Sequence, residues 1–131
     1  MLLFPGQGAT ASEQAVYPPE TVLLFVAAWC APCHGELAHL AEISRSARPY
    51  RVLVVPFDDG RATRAMLDGV PATQRWLPDR QTQRRLAQMV AAESAGLPFS
   101  VAIDPHGRTC ARHADALTGS TAQALVARCR G

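Results

Sequence analysis

The apolar run Thr21-Val22-Leu23-Leu24-Phe25-Val26-Ala27-Ala28 passes directly into Trp29-Cys30-Ala31-Pro32-Cys33-His34, and this junction limits the fold more than any other part of the chain. The run is short and β-rich, so it suits a strand covered on both faces better than an isolated helix. Two cysteines three positions apart then open a helix. A thiol in the first turn of a helix faces backbone N–H groups that lack intrahelical partners, and it sits at the positive end of the helix dipole. Both favour the thiolate. The second thiol waits within disulfide reach, so the junction reads as a redox site, and a proline at the first helical position suits the start of the helix.

The same residues, Cys30-Ala31-Pro32-Cys33-His34, also match the C-x-x-C-H pattern of covalent c-type haem attachment, with His34 as the iron ligand. A haem pocket needs a further apolar shell and usually a second axial ligand, whereas this motif follows a strand and carries a proline between its cysteines. Zinc is disfavoured because the remaining Cys and His residues offer no second ligand pair at metal spacing. No metal and no cofactor are therefore expected. Two buried cysteines without chemistry are the plain alternative.

A length of 131 residues suggests one domain with its own core. At 48% hydrophobic and 18% charged residues the chain has globular rather than disordered composition, and no apolar run is long enough to cross a bilayer. A net charge of +2 is too small for field-driven binding to nucleic acid or a membrane surface, so neither is an expected partner. Residues 1–20 are rich in Gly, Ala, Pro and Ser and read as an irregular lead-in that lays down one short edge strand. They carry no basic region followed by an apolar stretch of secretory length. Residues 21–131 form the expected single domain, acting as a monomer.

After the first strand, Leu37, Leu40, Ala41 and Ser44 give a helix from Cys33 an apolar stripe, with an end near Arg48-Pro49. A second buried-type strand follows over Arg51 to Phe57. Asp58-Asp59-Gly60 then supplies a turn and N-cap for a helix from Arg61 to Asp68, closed by Gly69. Asp79 caps a helix from Arg80 to about Ser94, with Leu86, Met89, Val90 and Glu93 on one side. Trp76, Met66 and Met89 are expected in the core. Pro98 opens an alternating strand, Phe99 to Asp104, which turns at Pro105-His106-Gly107-Arg108 into a strand over Thr109 to Ala114. A Ser-Thr-Ala-Gln capping box at Ser120 starts the last helix, whose face carries Ala122, Leu125, Val126 and Cys129. The predicted order is β-α-β-α-α-β-β-α, an α/β mixed sheet flanked by helices.

Phe25-Val26-Ala27-Ala28-Trp29-Cys30-Ala31-Pro32-Cys33, Glu36, Leu97-Pro98 and Ile103-Asp104-Pro105-His106-Gly107 together resemble the thioredoxin-like superfamily. More narrowly they resemble the TlpA-like thiol-disulfide oxidoreductases of the bacterial cell envelope, including those that reduce apocytochrome c before haem attachment. The resemblance spans most of residues 21 to 118. It implies a thioredoxin-like fold with a helical insertion, at about residues 70–95, before the cis-proline strand. It also implies a cis Leu97-Pro98 bond lying against the dithiol, and a periplasmic or cell-envelope location with a membrane anchor lying outside this chain. Glu36 stands where the subgroup's C-x-P-C-x-x-E pattern places its glutamate. The aspartate that thioredoxin keeps beneath the dithiol falls on Leu24, which leaves Glu36, one helical turn after Cys33, as the candidate proton acceptor. A first-turn glutamate that merely suits the helix dipole is the simpler account of it.

The expected chemistry has Cys30 as the attacking thiolate and Cys33 as the resolving thiol, exchanging disulfides with protein substrates and drawing on an upstream redox donor, more as a reductant than an oxidant. Trp29, Pro32, Leu97 and Pro98 are the expected substrate contacts, with Trp29 shielding Cys33, and His34 reads as a solvated helix residue. If the last strand runs out from Cys110 and the last helix returns to Cys129, the two reach bridging distance; a buried free Cys129 is the competing reading. The function from another class is a thioredoxin-like binding module with an idle dithiol, in which Trp76 and the helical insertion do the work.

Overall fold

The computed structural model describes residues 17–130. Of the irregular lead-in expected over residues 1–20, with its short edge strand, residues 1–16 lie outside the described residues. Four strands, β1 (Thr21–Val26), β2 (Arg51–Pro56), β3 (Phe99–Ile103) and β4 (Thr109–His113), form one sheet in the order β2-β1-β3-β4. β1 pairs parallel with β2 and antiparallel with β3, and β4 returns antiparallel on β3. The helices are α1 (Ala31–Ala38), α2 (Leu40–Ser46), α3 (Arg61–Asp68), α4 (Arg80–Glu93) and α5 (Gly119–Arg130), with a 3-10 turn at Ala72–Gln74.

The central strand explains the two layers. Every residue of β1 is buried, and alternate side chains enter different clusters. Val22, Leu24 and Val26 face Cys33, Ile43, Leu67, Leu125 and Val126, from α1, α2, α3 and α5. Leu23 and Phe25 face Leu86 and Val90 of α4 together with Phe99, Val101 and Ile103. β3, expected as a strand of alternating apolar residues, is buried along its whole length: α4 covers one face, and the layer holding α5 covers the other. Pro98 lies just before the strand rather than in it.

The helix after the dithiol departs most from the sequence reading. It starts at Ala31, not Cys33, which puts Pro32 at the second helical position, where the absent N–H still costs nothing. It ends at Ala38, and α2 begins on the far side of His39, whose φ of -113° and ψ of 22° are not helical. The buried positions are Cys33, Glu36, Leu40, Ile43 and Ala47, whereas Leu37 and Ser44 are half-buried and Ala41 is exposed. The stripe thus sits one position from the predicted one, because a buried carboxylic acid occupies a core position that a hydrophobic pattern cannot recognise.

Smaller differences have local causes. The N-cap of α3 is Gly60, which has no side chain to cap with, and the Asp58 carboxylate accepts from the Gly60 amide at 2.9 Å. The last helix is capped at Thr118, not Ser120: Thr118 Oγ1 accepts from the Thr121 amide (3.2 Å) and Thr121 Oγ1 from the Thr118 amide (2.7 Å). Glu93 pairs with Arg112 rather than joining the apolar side of α4. The β3–β4 turn forms as expected; Gly107, at φ 82°, takes the left-handed position, and Asp104 Oδ1 accepts from the His106 and Arg108 amides. In the predicted insertion, the only sheet pairing among the described residues is one bridge between Val54 and Arg75.

Candidate active site

Cys30 is the N-cap of α1. Its backbone is extended (φ -96°, ψ 102°), and its Sγ accepts from the Cys33 amide at 3.2 Å. A sulfur at this position receives an otherwise unpaired N–H and the field of the helix N-terminus, both of which stabilise negative charge on it. Cys33 follows one turn on and is joined to Cys30 as a disulfide, with Cα atoms 5.3 Å apart. Only Cys30 has any surface (4%); Cys33 has none and rests its Sγ 3.8 Å from the Phe25 carbonyl oxygen at the end of β1.

The loop between β1 and α1 is tied down on all sides. The Phe57 amide donates to the Val26 carbonyl (2.8 Å), and the Cys30 amide donates to the Ala27 carbonyl (3.0 Å). The Ala28 amide donates to Thr63 Oγ1 of α3 at 3.0 Å, and its carbonyl lies 2.9 Å from His34 Nε2. Trp29 is 64% exposed, stands edge-on to Phe57, and donates its indole N–H to Asp58 Oδ2 at 2.9 Å. Burial opposes ionisation of Asp58, yet hydrogen bonds from the Gly60 amide, the Trp29 indole and the Thr63 hydroxyl outweigh it and hold the carboxyl below its usual range. His34, expected as a solvated residue, is exposed but engaged with the backbone.

Glu36 is 2% exposed on the buried side of α1. Its Oε2 accepts from the Leu117 amide at 2.7 Å, and its Oε1 has no partner among the described residues. Burial pushes its carboxyl up to about 7; the Leu117 hydrogen bond works against that rise and the charge of Asp115 adds to it. With Pro32, His39 and Leu117 it lines a cleft of about 410 Å³ between α1 and the start of α5. The other buried side-chain oxygen without a partner, among the described residues, is Ser100 Oγ. Ser100 sits opposite Leu24 across β1 and β3, and residues directly opposite in an antiparallel pair share a face, here the one that carries the dithiol.

The remaining predicted residues lie around this centre. The Leu97–Pro98 peptide is cis, as is Arg48–Pro49. Leu97 packs against both apolar clusters, one of which contains Cys30 and Cys33. Pro32 is exposed on the first turn of α1, and Pro98 is half-buried. Cys110 and Cys129 are joined as a disulfide between β4 and α5, with Cα atoms 5.3 Å apart. Sequence reasoning missed Asp58 and Thr63 as parts of the site, because Asp58 looked like a turn residue and the role of Thr63 depends on a contact across 35 positions. It also missed the Leu117 amide, since a backbone donor leaves no trace in residue type. Among the described residues no helix is long and apolar enough to cross a membrane.

Neither a protein-family model nor a curated protein matches the sequence. Solved structures share its fold. DsbF of MTB, solved in mixed oxidised and reduced forms, superposes with a TM-score of 0.59 at 21% identity over 82% of this chain and 78% of that one. The thioredoxin domain of a thiol-disulfide oxidoreductase from Bacteroides vulgatus gives a TM-score of 0.59 at 16% identity, over 82% and 76% of the two chains. StoA from Bacillus subtilis gives 0.56 at 16% identity, over 80% of each. At such identities the likeness is one of fold. The four-stranded mixed sheet with its flanking helices is a thioredoxin-like fold, and a Cys-x-x-Cys pair stands at its strand-to-helix junction.

Proposed function

We propose that this chain is a thiol-disulfide oxidoreductase that exchanges disulfides with protein substrates through Cys30 and Cys33. The observation that carries this reading is the placement of Cys30 Sγ over the Cys33 amide at the start of α1, with the second sulfur within bonding reach. In the reducing direction the Cys30 thiolate attacks one sulfur of a substrate disulfide, and the other substrate sulfur leaves as a thiolate and takes up a proton. Cys33 then gives up its proton and attacks Cys30 Sγ. The second substrate sulfur departs, leaving a Cys30–Cys33 disulfide and a substrate richer by two electrons and two protons.

Glu36 is the acceptor for the Cys33 proton. It lies one turn along the same buried side of α1, and a carboxyl brought to about 7 exchanges protons near neutrality without a large energy gap. Trp29, Pro32, Leu97 and Pro98 receive the substrate chain. A dithiol donor, acting by the same exchange, returns the pair to its reduced state, and reduction of the substrate is the working direction. His34 Nε2 is engaged at the Ala28 carbonyl and the two sulfurs with each other, which favours dithiol chemistry over haem attachment at these residues. The Cys110–Cys129 bond serves as a structural brace and supports an oxidising, envelope compartment.

The test is insulin reduction with dithiothreitol as electron source. The wild-type protein accelerates insulin precipitation, and Cys30→Ser removes the acceleration. Equal rates for the two proteins would leave the binding-module reading in its place. A redox titration of the Cys30–Cys33 pair against glutathione buffers gives the direction.

A further inference from the structure

We propose that Thr63 is a positioning residue for the dithiol, holding the Ala28–Trp29 segment in the geometry from which Cys30 caps α1. The proposal rests on the oxidoreductase reading and adds a residue to its machinery from a different part of the chain.

Thr63 is one of few polar residues buried in the core, at 2% exposure, although it belongs to a short helix whose flanking residues Ala62 and Arg64 are exposed. Its oxygen accepts from the Ala28 amide at 3.0 Å. That amide lies just beyond the end of β1, where the sheet ladder offers it no carbonyl. Asp58, five positions upstream, accepts the Trp29 indole N–H at 2.9 Å, and the Thr63 hydroxyl is among the groups that hold its carboxyl below the usual range. Two adjacent residues of the active-site loop, Ala28 and Trp29, are thereby fastened to α3 and the loop that precedes it: Ala28 by the Thr63 hydroxyl, Trp29 by the Asp58 carboxylate.

The geometry has a direct chemical consequence. Cys30 follows Trp29 immediately, and its sulfur receives the Cys33 amide only while its own backbone is extended. Releasing Ala28 frees the chain two residues upstream of that sulfur. The amide-to-sulfur alignment that favours the thiolate then loosens, and the indole loses its fixed orientation against Asp58 and Phe57.

Thr63→Val keeps the shape of the side chain and removes its hydrogen bond to the Ala28 amide, while Thr63→Ser keeps the hydroxyl. The first readout is the pH profile of Cys30 alkylation by iodoacetamide in the reduced protein. Thr63→Val is expected to move the midpoint upward, with a rate below the midpoint roughly three- to tenfold lower, in proportion to the lost thiolate fraction. The second is the Trp29 indole N–H resonance, assigned by its loss in Trp29→Phe, which is expected to shift and exchange faster in Thr63→Val. Thr63→Ser is expected to restore both. An unchanged midpoint and resonance in Thr63→Val would overturn the proposal, as would a shift that serine fails to restore, since that would reflect packing alone. Should Thr63→Val not fold, hydrogen exchange of the Ala28 amide in the wild-type protein decides: protection supports the proposal, and exchange at the unprotected rate overturns it. None of these readouts requires turnover, so a wild-type protein that fails to reduce insulin refutes the enzymatic reading without touching this one.

Discussion

The Leu117 amide donates a 2.7 Å hydrogen bond to Glu36 Oε2 across 81 positions of sequence. The loop that leaves β4 therefore closes directly on the helix that carries the dithiol, and it partners one oxygen of the buried carboxyl while leaving the other alone. A carboxylate fully embedded in donors would be a strong, permanently ionised acid. With one donor and deep burial, Glu36 instead sits near the neutral range, where it can both accept and release a proton.

This arrangement makes stability depend on pH in a definite direction. The folded-state pKa of Glu36 is raised from 4.5 to about 7, so the fold prefers the neutral acid. Its contribution is fully present below pH 4.5 and is lost as pH rises through 7, a change on the order of 3 kcal/mol. Urea midpoints measured between pH 4.5 and pH 8 are expected to fall across that window in the wild-type protein and to stay level there in Glu36→Gln. A wild-type profile as level as that of the variant would mean that the carboxyl titrates as an exposed one.

The order of the two thiols is open to a trapping experiment. Cys33→Ser leaves the attacking sulfur in place but removes the group that evicts the substrate, so incubation with oxidised insulin is expected to accumulate a covalent Cys30–substrate species on non-reducing mass analysis. Cys30→Ser is expected to accumulate none, because Cys33 has no exposed surface. Trapping by Cys30→Ser instead would reverse the assignment.

The sheet, most helix spans and the dithiol were legible in the sequence because each rests on a local pattern. β1 is an unbroken apolar run, α3 ends at Gly69 as predicted, and the Trp29-to-Cys33 motif names its own chemistry. The misreadings cluster where a residue's role is set by something distant. The displaced stripe of α1 and α2 follows from a glutamate occupying a core position, which a hydrophobic pattern excludes. The true cap of α5, Thr118 with Thr121, lies two residues ahead of an equally plausible Ser-x-x-Gln pattern, and only the loop that delivers Leu117 to Glu36 distinguishes them.

The bond between Cys110 and Cys129 spans 19 positions, and in the chain-entropy model a loop of that size contributes on the order of 3 kcal/mol. Cys110→Ala with Cys129→Ala is expected to lower the urea unfolding free energy by about that amount while leaving insulin reduction by the folded protein intact. Loss of turnover at full stability would assign this pair an exchange role in place of a bracing one.

The layer opposite the dithiol offers a control. Leu86 is 1% exposed and holds α4 to the far face of the sheet. Leu86→Ala is expected to cost about 2–5 kcal/mol in urea unfolding, from lost burial and the cavity left behind. The alkylation rate of Cys30 in the folded fraction should remain that of the wild type, and a changed rate would show that the two faces are coupled through the sheet.

A final consequence follows from how little of Cys30 reaches the surface. A recessed sulfur at the start of α1 offers little surface to a cystine, so under the proposed chemistry the cystine must come to it. Linear, pliable stretches of polypeptide can thread a disulfide down to such a point, whereas one sunk in a finished globule would first have to be unpacked.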